Sequence, residues 1–188
     1  TWENPSKSSV SKQAIFAFKG DVYSGLDVDT IDENKFEYMQ NNLRIISGFY
    51  GLLRPFDKIL PYRLEMGTKL KNSRGKNLYE FWGDEITQLL NNDIGNKNEY
   101  VINLASNEYY KSILTKKLNN NVLTPSFKEF KNGSYKTIAI YAKKARGLMS
   151  RFIIENKLED IDSLKLFNSE GYTYDENLSD SSNFTFVR

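Results

Sequence analysis

Lys143, Lys144, Arg146 and Arg151 all precede the first acid of their segment, Glu155, with the small residues Gly147 and Ser150 among them. Cations crowded in this way suit phosphate, since each can neutralise one backbone charge of a nucleic acid. The same segment carries Ala145, Leu148, Met149, Phe152 and Ile153 at the i, i+3, i+4, i+7, i+8 spacing of a buried stripe. This predicts a helix from Lys143 to about Asn156 with the basic residues opposite the stripe, although Ile154 falls on the basic side. Lys or Arg in a first helical turn opposes the macrodipole at about 0.3 to 1 kcal/mol each. A sequence selected for stability alone would avoid them there. Free backbone N–H groups, the dipole and the side chains would together form an anion site, with Gly147 letting a phosphate approach the helix. The competing reading is a solvated basic face.

Other residues of suitable chemistry are scattered. Lys19-Gly20-Asp21 follows the apolar run Ala14 to Phe18, which predicts a central strand, and strand ends of open α/β sheets often hold ligand groups. An ordinary Gly-Asp turn is the alternative, and Asp21 could pair with a basic residue. Lys69, Lys71, Arg74 and Lys76 surround Gly75 with no acid before Asn77, a second candidate phosphate contact or a lysine-rich surface loop. Tyr109, Tyr110, Tyr141 and Tyr172 could stack on bases or sit in the core. In the turn Asn168 to Gly171, Glu170 is the acid that could act as a base.

The chain contains neither histidine nor cysteine. That removes the commonest general base, thiolate chemistry, disulfides and the favoured zinc ligands. No acid spacing resembles a calcium loop, so no metal and no cofactor are expected. The formal net charge is only +2. Any anion binding must therefore come from local clustering.

The elements that must position these residues can be read in outline. The first dozen residues, including Ser6, Ser8 and Ser9, read as an arm or loop. Asp29-Thr30 with Glu33 resembles a capping box opening a helix to about Asn42. Ile45 to Tyr50 reads as a strand, Asn77 to Leu90 as one helix, and Asn91 to Asn98 as a turn. Val101 to Leu104 is a further strand, followed by a helix capped at Ser106 or Asn107 and running to about Leu114. Asn132-Gly133 is a strong hairpin signal between Val122 to Phe130 and Ser134 to Ala142. A short helix near Asp160 to Leu166 and strands at Tyr172 to Tyr174 and Phe184 to Val187 close the chain. Alternating patterns of this kind predict an α/β (mixed α+β) fold, a single compact domain with a mixed sheet and flanking helices.

The blocks FKGDVYSGL, SGFYGLLRP, PYRLEMG, YEFWGD, VINLASNEY, YAKKARGLMSRFIIEN and FNSEGY resemble, in order, the motifs of the YaaA family. The resemblance implies a mixed α/β domain of unusual topology and a part in bacterial resistance to hydrogen peroxide, partly by limiting iron. It also implies DNA binding, to double-stranded or distorted duplex, through a positively charged cleft. Lys19, Arg54, Arg63, Arg74, Lys76, Lys143, Lys144, Arg146 and Arg151 match family motifs. Arg54 and Arg63 lie among apolar residues and read as buried structural ions. The expected phosphate contacts are thus Lys19, Arg74, Lys76, Lys143, Lys144, Arg146 and Arg151. Family members begin with an apolar strand and a helical region, which residues 1–188 are expected to lack. With no secretory signal and no apolar run near the roughly 20 residues that span a bilayer, the cytoplasm is expected, with no membrane and no obligate protein partner. The alternative is an enzyme acting on a nucleotide or phosphorylated metabolite in the same basic pocket, with Asp21 or Glu170 as base.

Overall fold

A computed structural model describes residues 10–94 and 100–188. The expected serine-rich arm before Val10 and the end of the expected turn, at 95–98, lie outside them. In chain order the elements begin with β1 (Lys12–Gln13), α1 (Ala14–Ala17), α2 (Asp21–Leu26), α3 (Phe36–Asn42), β2 (Ile45–Ser47), β3 (Gly51–Leu53) and β4 (Lys58–Ile59). Next come α4 (Leu78–Trp82), α5 (Glu85–Ile94), β5 (Tyr100–Ile102), α6 (Asn107–Tyr110), β6 (Asn121–Leu123), β7 (Ser126–Lys131) and β8 (Ser134–Lys136). The chain closes with α7 (Ala139–Asn156), β9 (Thr173–Asp175) and β10 (Thr185–Val187), joined by 3-10 turns. This is an α/β protein with strands paired in both senses. Among the described residues no helix is long and apolar enough to cross a membrane.

Backbone proximity divides the chain into two compact units, each interrupted in sequence. The first draws its described residues from 10–18, 39–94 and 105–120. Here the run Ala14 to Phe18, expected to be a strand, forms the single turn of α1 instead. A short apolar run has no period of its own, and the Ala14 and Ile15 N–H groups donate to the carbonyls of Asp57 (2.8 Å) and Pro55 (2.9 Å). The expected strand Ile45 to Tyr50 folds back as the β2–β3 hairpin, Ile45 opposite Leu53 and Ser47 opposite Gly51. Buried Ser47 fastens the turn, its Oγ accepting from the Phe49 (3.2 Å) and Tyr50 (2.9 Å) N–H groups. One helix was expected from Asn77, and Asn77 does cap it, Oδ1 accepting from the Glu80 N–H at 2.9 Å. Gly83, at φ 52°, then breaks it into α4 and α5. Ser106 caps α6, which ends at Tyr110 rather than near Leu114.

The second unit holds residues 19–38, 100–104 and 121–188. Its four-stranded sheet runs β8-β7-β10-β9, with β7 and β10 parallel and both outer pairs antiparallel. β5 pairs with β6 in parallel. Pro125, which has no N–H to give, separates β6 from β7 in what reads as one strand. The hairpin turns at Asn132 (φ 53°) and Gly133 (φ 76°), the positive-φ pair that matches the strand twist. The helix at Asp29–Glu33 is delayed: Asp32 caps a 3-10 turn, accepting from the Asn34 N–H at 2.9 Å, and α3 begins at Phe36. Ile31, just before this turn, is buried.

Helix α7 lays Ala142, Ala145 and Met149 on a ring cluster in which Phe127 stacks with Phe186 at 5.6 Å and meets Tyr172 at 5.4 Å. Its other buried face takes α2. A Cβ on Gly147 would stand 1.9 Å from the Val22 carbonyl oxygen, and one on Gly25 would stand 2.2 Å from the Lys144 carbonyl oxygen. The two backbones touch because neither crossing residue has a side chain. Ile154, on the side that the basic residues were expected to leave to solvent, is 2% exposed.

The three clashing atoms at Gly147 all belong to the backbone of α2, so Gly147→Ala must part the helices. We expect it to lower stability by about 1–3 kcal/mol or more, as overpacking does, read as a fall in the urea midpoint; an unchanged midpoint would mean the crossing is loose.

Candidate nucleic-acid interface

The start of α7 decides what its cations can do. The helix begins at Ala139, and the Ala142 N–H already donates to Ile138 O at 2.9 Å. Lys143 and Lys144 therefore lie in the second turn, where backbone N–H groups are engaged within the helix. The expected anion site of free N–H groups beside these lysines is not formed. Gly147, expected to admit a phosphate, is filled by α2.

Each predicted contact in this unit has a distinct environment. Arg151 is three-quarters shielded, its side chain 22% exposed. Its Nη1 donates to Leu26 O (3.2 Å), Asp27 O (3.0 Å) and Thr30 Oγ1 (2.7 Å), and its Nη2 sits 2.7 Å from Glu155 Oε1. It thereby caps the end of α2, where Asp27 turns left-handed at φ 46°, and a cation suits that negative helix end. Lys144 Nζ donates to Glu170 Oε1 at 2.5 Å, and Glu170 also accepts from Arg188 Nη1 at 3.2 Å. Hydrogen bonding to Lys144, then the charges of Lys144 and Arg188, hold the Glu170 carboxyl below the usual glutamate range. That is opposite to what a general base working near neutrality needs. Lys143 Nζ only approaches Asp21, at 4.0 Å with both side chains about half exposed, a pair of little energetic weight.

Arg146 differs from all of these. It is partly buried, and its guanidinium has no ion-pair or hydrogen-bond partner among the described residues. Burial pushes its pKa down, yet a guanidinium stays protonated in proteins. A partly desolvated cation without a counter-charge is an unmet electrostatic demand. Lys143 lies one turn before it. Lys19, exposed, lies two residues before the Asp21 that Lys143 approaches, next to Gly20 at φ 127°. Lys19 precedes a helix rather than ending a central strand, because Ala14 to Ala17 is helical.

The remaining predicted contacts belong to the first unit. Arg74 Nη2 donates to Glu85 Oε1 at 2.5 Å, and the guanidinium lies 4.8 Å from the centre of the Phe81 ring. A tight turn orders this loop: Asn72 N–H donates to Gly75 O (2.9 Å), and Arg74 N–H to Asn72 Oδ1 (2.8 Å). Lys76 is anchored by its backbone N–H on Glu80 Oε2 at 2.8 Å and leaves its ammonium in solvent. Arg54 and Arg63, expected to be buried, are both exposed, with Arg54 paired to Asp93 at 2.8 Å. Of the four tyrosines, Tyr172 is core at 1% exposure and Tyr141 is exposed against the Arg188 guanidinium. Tyr109 donates to Glu65. Sequence reading passes over Arg188, which ties Glu129 to Glu170; no spacing connects residues so far apart, and only the parallel β7–β10 pairing brings them together.

An α/β protein with a helix whose cations are partly engaged and partly free is the class that these features define. The chain is matched over residues 1–178 by the family described as peroxide stress protein YaaA. It is 52% identical over 188 residues to a UPF0246 protein of Aliivibrio fischeri strain MJ11, covering all of this chain and 73% of that one. It is 55% identical over 179 residues to a UPF0246 protein of Shewanella sp. strain MR-4, covering 95% and 70%. The chain belongs to the peroxide stress protein YaaA family, and its role lies in peroxide stress.

If Arg151 is framework and Lys143 is not, urea denaturation should separate them. Arg151→Ala is expected to remove about 1–3 kcal/mol by leaving the end of α2 uncapped, and Lys143→Ala to change stability by less than about 0.5 kcal/mol. Carboxyl NMR titration should likewise place Glu170 below an ordinary glutamate, and Lys144→Ala should raise it. Because the folded value is depressed, the stabilisation from this pair is present at neutral pH and lost as pH falls through that value.

Proposed function

We propose that this protein binds DNA, double-stranded or distorted, by phosphate contacts from Lys143, Arg146 and Lys19 of the second unit, with Lys144 as a further contact there; Arg74 and Lys76 are separate candidate phosphate contacts of the first unit. Arg146 carries the reading: a partly buried cation that has no counter-charge among the described residues gains one from a phosphate oxygen. Lys143 and Lys19 extend the same positive field along and before the helix. Lys144 contributes only as far as it leaves Glu170, and Arg151 holds α2 in place rather than touching the ligand. Cations of this kind read the backbone and not the sequence, so the binding is expected to tolerate any base order. Occupying DNA in this way serves the peroxide stress role by shielding it from iron-driven oxidative damage.

The test is the salt dependence of affinity for a fluorescent duplex. Each phosphate neutralised adds about 0.9 to the negative slope of log affinity against log salt, so Lys143→Ala/Arg146→Ala should flatten the slope by roughly 2. A slope equal to that of the unaltered protein would remove both residues from the interface.

A further inference from the structure

The β7–β8 hairpin holds two large rings in solvent. The Asn132-Gly133 turn sets a register in which Phe130 stands opposite Tyr135, and their rings meet edge to face at 5.3 Å. Phe130 is 62% exposed and Tyr135 42%. Strand alternation explains why: Phe127, 2% exposed, points into the core, so Lys128 and Phe130 belong to the other face. The aromatic pair steadies the hairpin. Burial of the pair is not achieved, however, and rings this exposed leave apolar surface available to a ligand.

The charges around the rings all have one sign in effect. Lys128 shares the face of the rings, whereas Lys131 and Lys136 leave from the other face of the hairpin, Lys136 across from Glu129; none of the three has a side-chain hydrogen bond or ion pair among the described residues. Glu129 is the one acid from Ser126 to Lys136, and it is engaged: its carboxylate accepts from Arg188 Nε at 2.8 Å and from the Tyr172 hydroxyl. An unpaired lysine on the face of two exposed rings, with two more behind them on the same hairpin, matches a nucleic-acid strand whose bases are free to stack. The lysines argue against a second copy of this chain, since lysines on an edge strand such as β8 oppose strand pairing between copies.

We propose that the β7–β8 hairpin is a stacking platform for unpaired bases, with Phe130 and Tyr135 receiving the bases and Lys128, on the same face, a flanking phosphate. The platform rests on the nucleic-acid reading above and narrows it to strands with unstacked bases, single-stranded or at a distortion in a duplex. Phosphate contacts along α7 would serve any duplex, and the hairpin would favour damaged or opened DNA over intact DNA.

The experiment compares fluorescent oligothymidine with a blunt duplex at one salt concentration. Phe130→Leu/Tyr135→Leu keeps apolar bulk in the hairpin and removes both π-faces. It is expected to weaken oligothymidine binding by about tenfold or more, with duplex affinity unchanged. Thermal unfolding follows the fold of the variant. As a second probe, Tyr135→Trp should show emission quenched by oligothymidine beyond the change seen in the unaltered protein. Equal oligothymidine affinity in the Leu variant, or an absent quench should that variant fail to fold, overturns the platform and leaves the duplex reading standing. An unaltered protein that binds neither probe overturns both. A Leu variant that differs only in self-association, seen by sedimentation, overturns the platform in favour of a contact between copies.

Discussion

Gly25 and Gly147 allow the backbones of α2 and α7 to touch, and the cationic side of the second unit is built around that contact. A Cβ at either position would lie within 2.2 Å of a carbonyl oxygen of the facing helix. At ordinary helix separations of 8–10 Å the ends of α2 would lie further from α7. As it is, Asp21 comes within 4.0 Å of Lys143, and the carbonyls of Leu26 and Asp27 come within reach of Arg151. Ile154 and Ser150 are also buried, on the face of α7 that carries the basic residues.

This packing sorts chemically similar residues into different roles. Arg151 reaches carbonyls at a helix end, where its planar fork can serve several acceptors at once. Lys144 meets Glu170, itself held by Arg188 and so by the sheet. Arg146, between the core stripe and the α2 contact, is partly covered without meeting an acid or a carbonyl among the described residues. Its cost of desolvation is left for a ligand to offset. A molecule of net charge +2 can thus present a local demand for anions, since fields near a partly desolvated group depend on the nearest few charges rather than on the total.

In the first unit four cations tie its own turns and helices. Arg44 and Arg54 converge on Asp93, at 2.6 and 2.8 Å, and Lys117 pairs with Asp84 at 2.7 Å. Arg74 is held by both Glu85 and the face of Phe81. Solvent-exposed pairs of this kind are worth little individually, and a phosphate could compete for Arg74 at modest cost.

The sequence by itself determined what local chemistry can settle. Asn132-Gly133 demands positive φ at two successive residues, and the hairpin appears where it must; Asn77 caps α4; the apolar stripe of α7 faces the rings. The seven ordered motifs sufficed to recognise the family. Tertiary structure decided everything that depends on a partner distant in the chain. Ala14 to Ala17 became a helical turn because the carbonyls of Pro55 and Asp57 were there to accept its N–H groups. Helix α7 began at Ala139, not Lys143, because β8 pairs only as far as Lys136, opposite Glu129, and the chain was free to coil. Gly147 reads in sequence as room for a phosphate and is in fact the room that α2 occupies, since a missing side chain specifies only that something comes close, and packing chooses what.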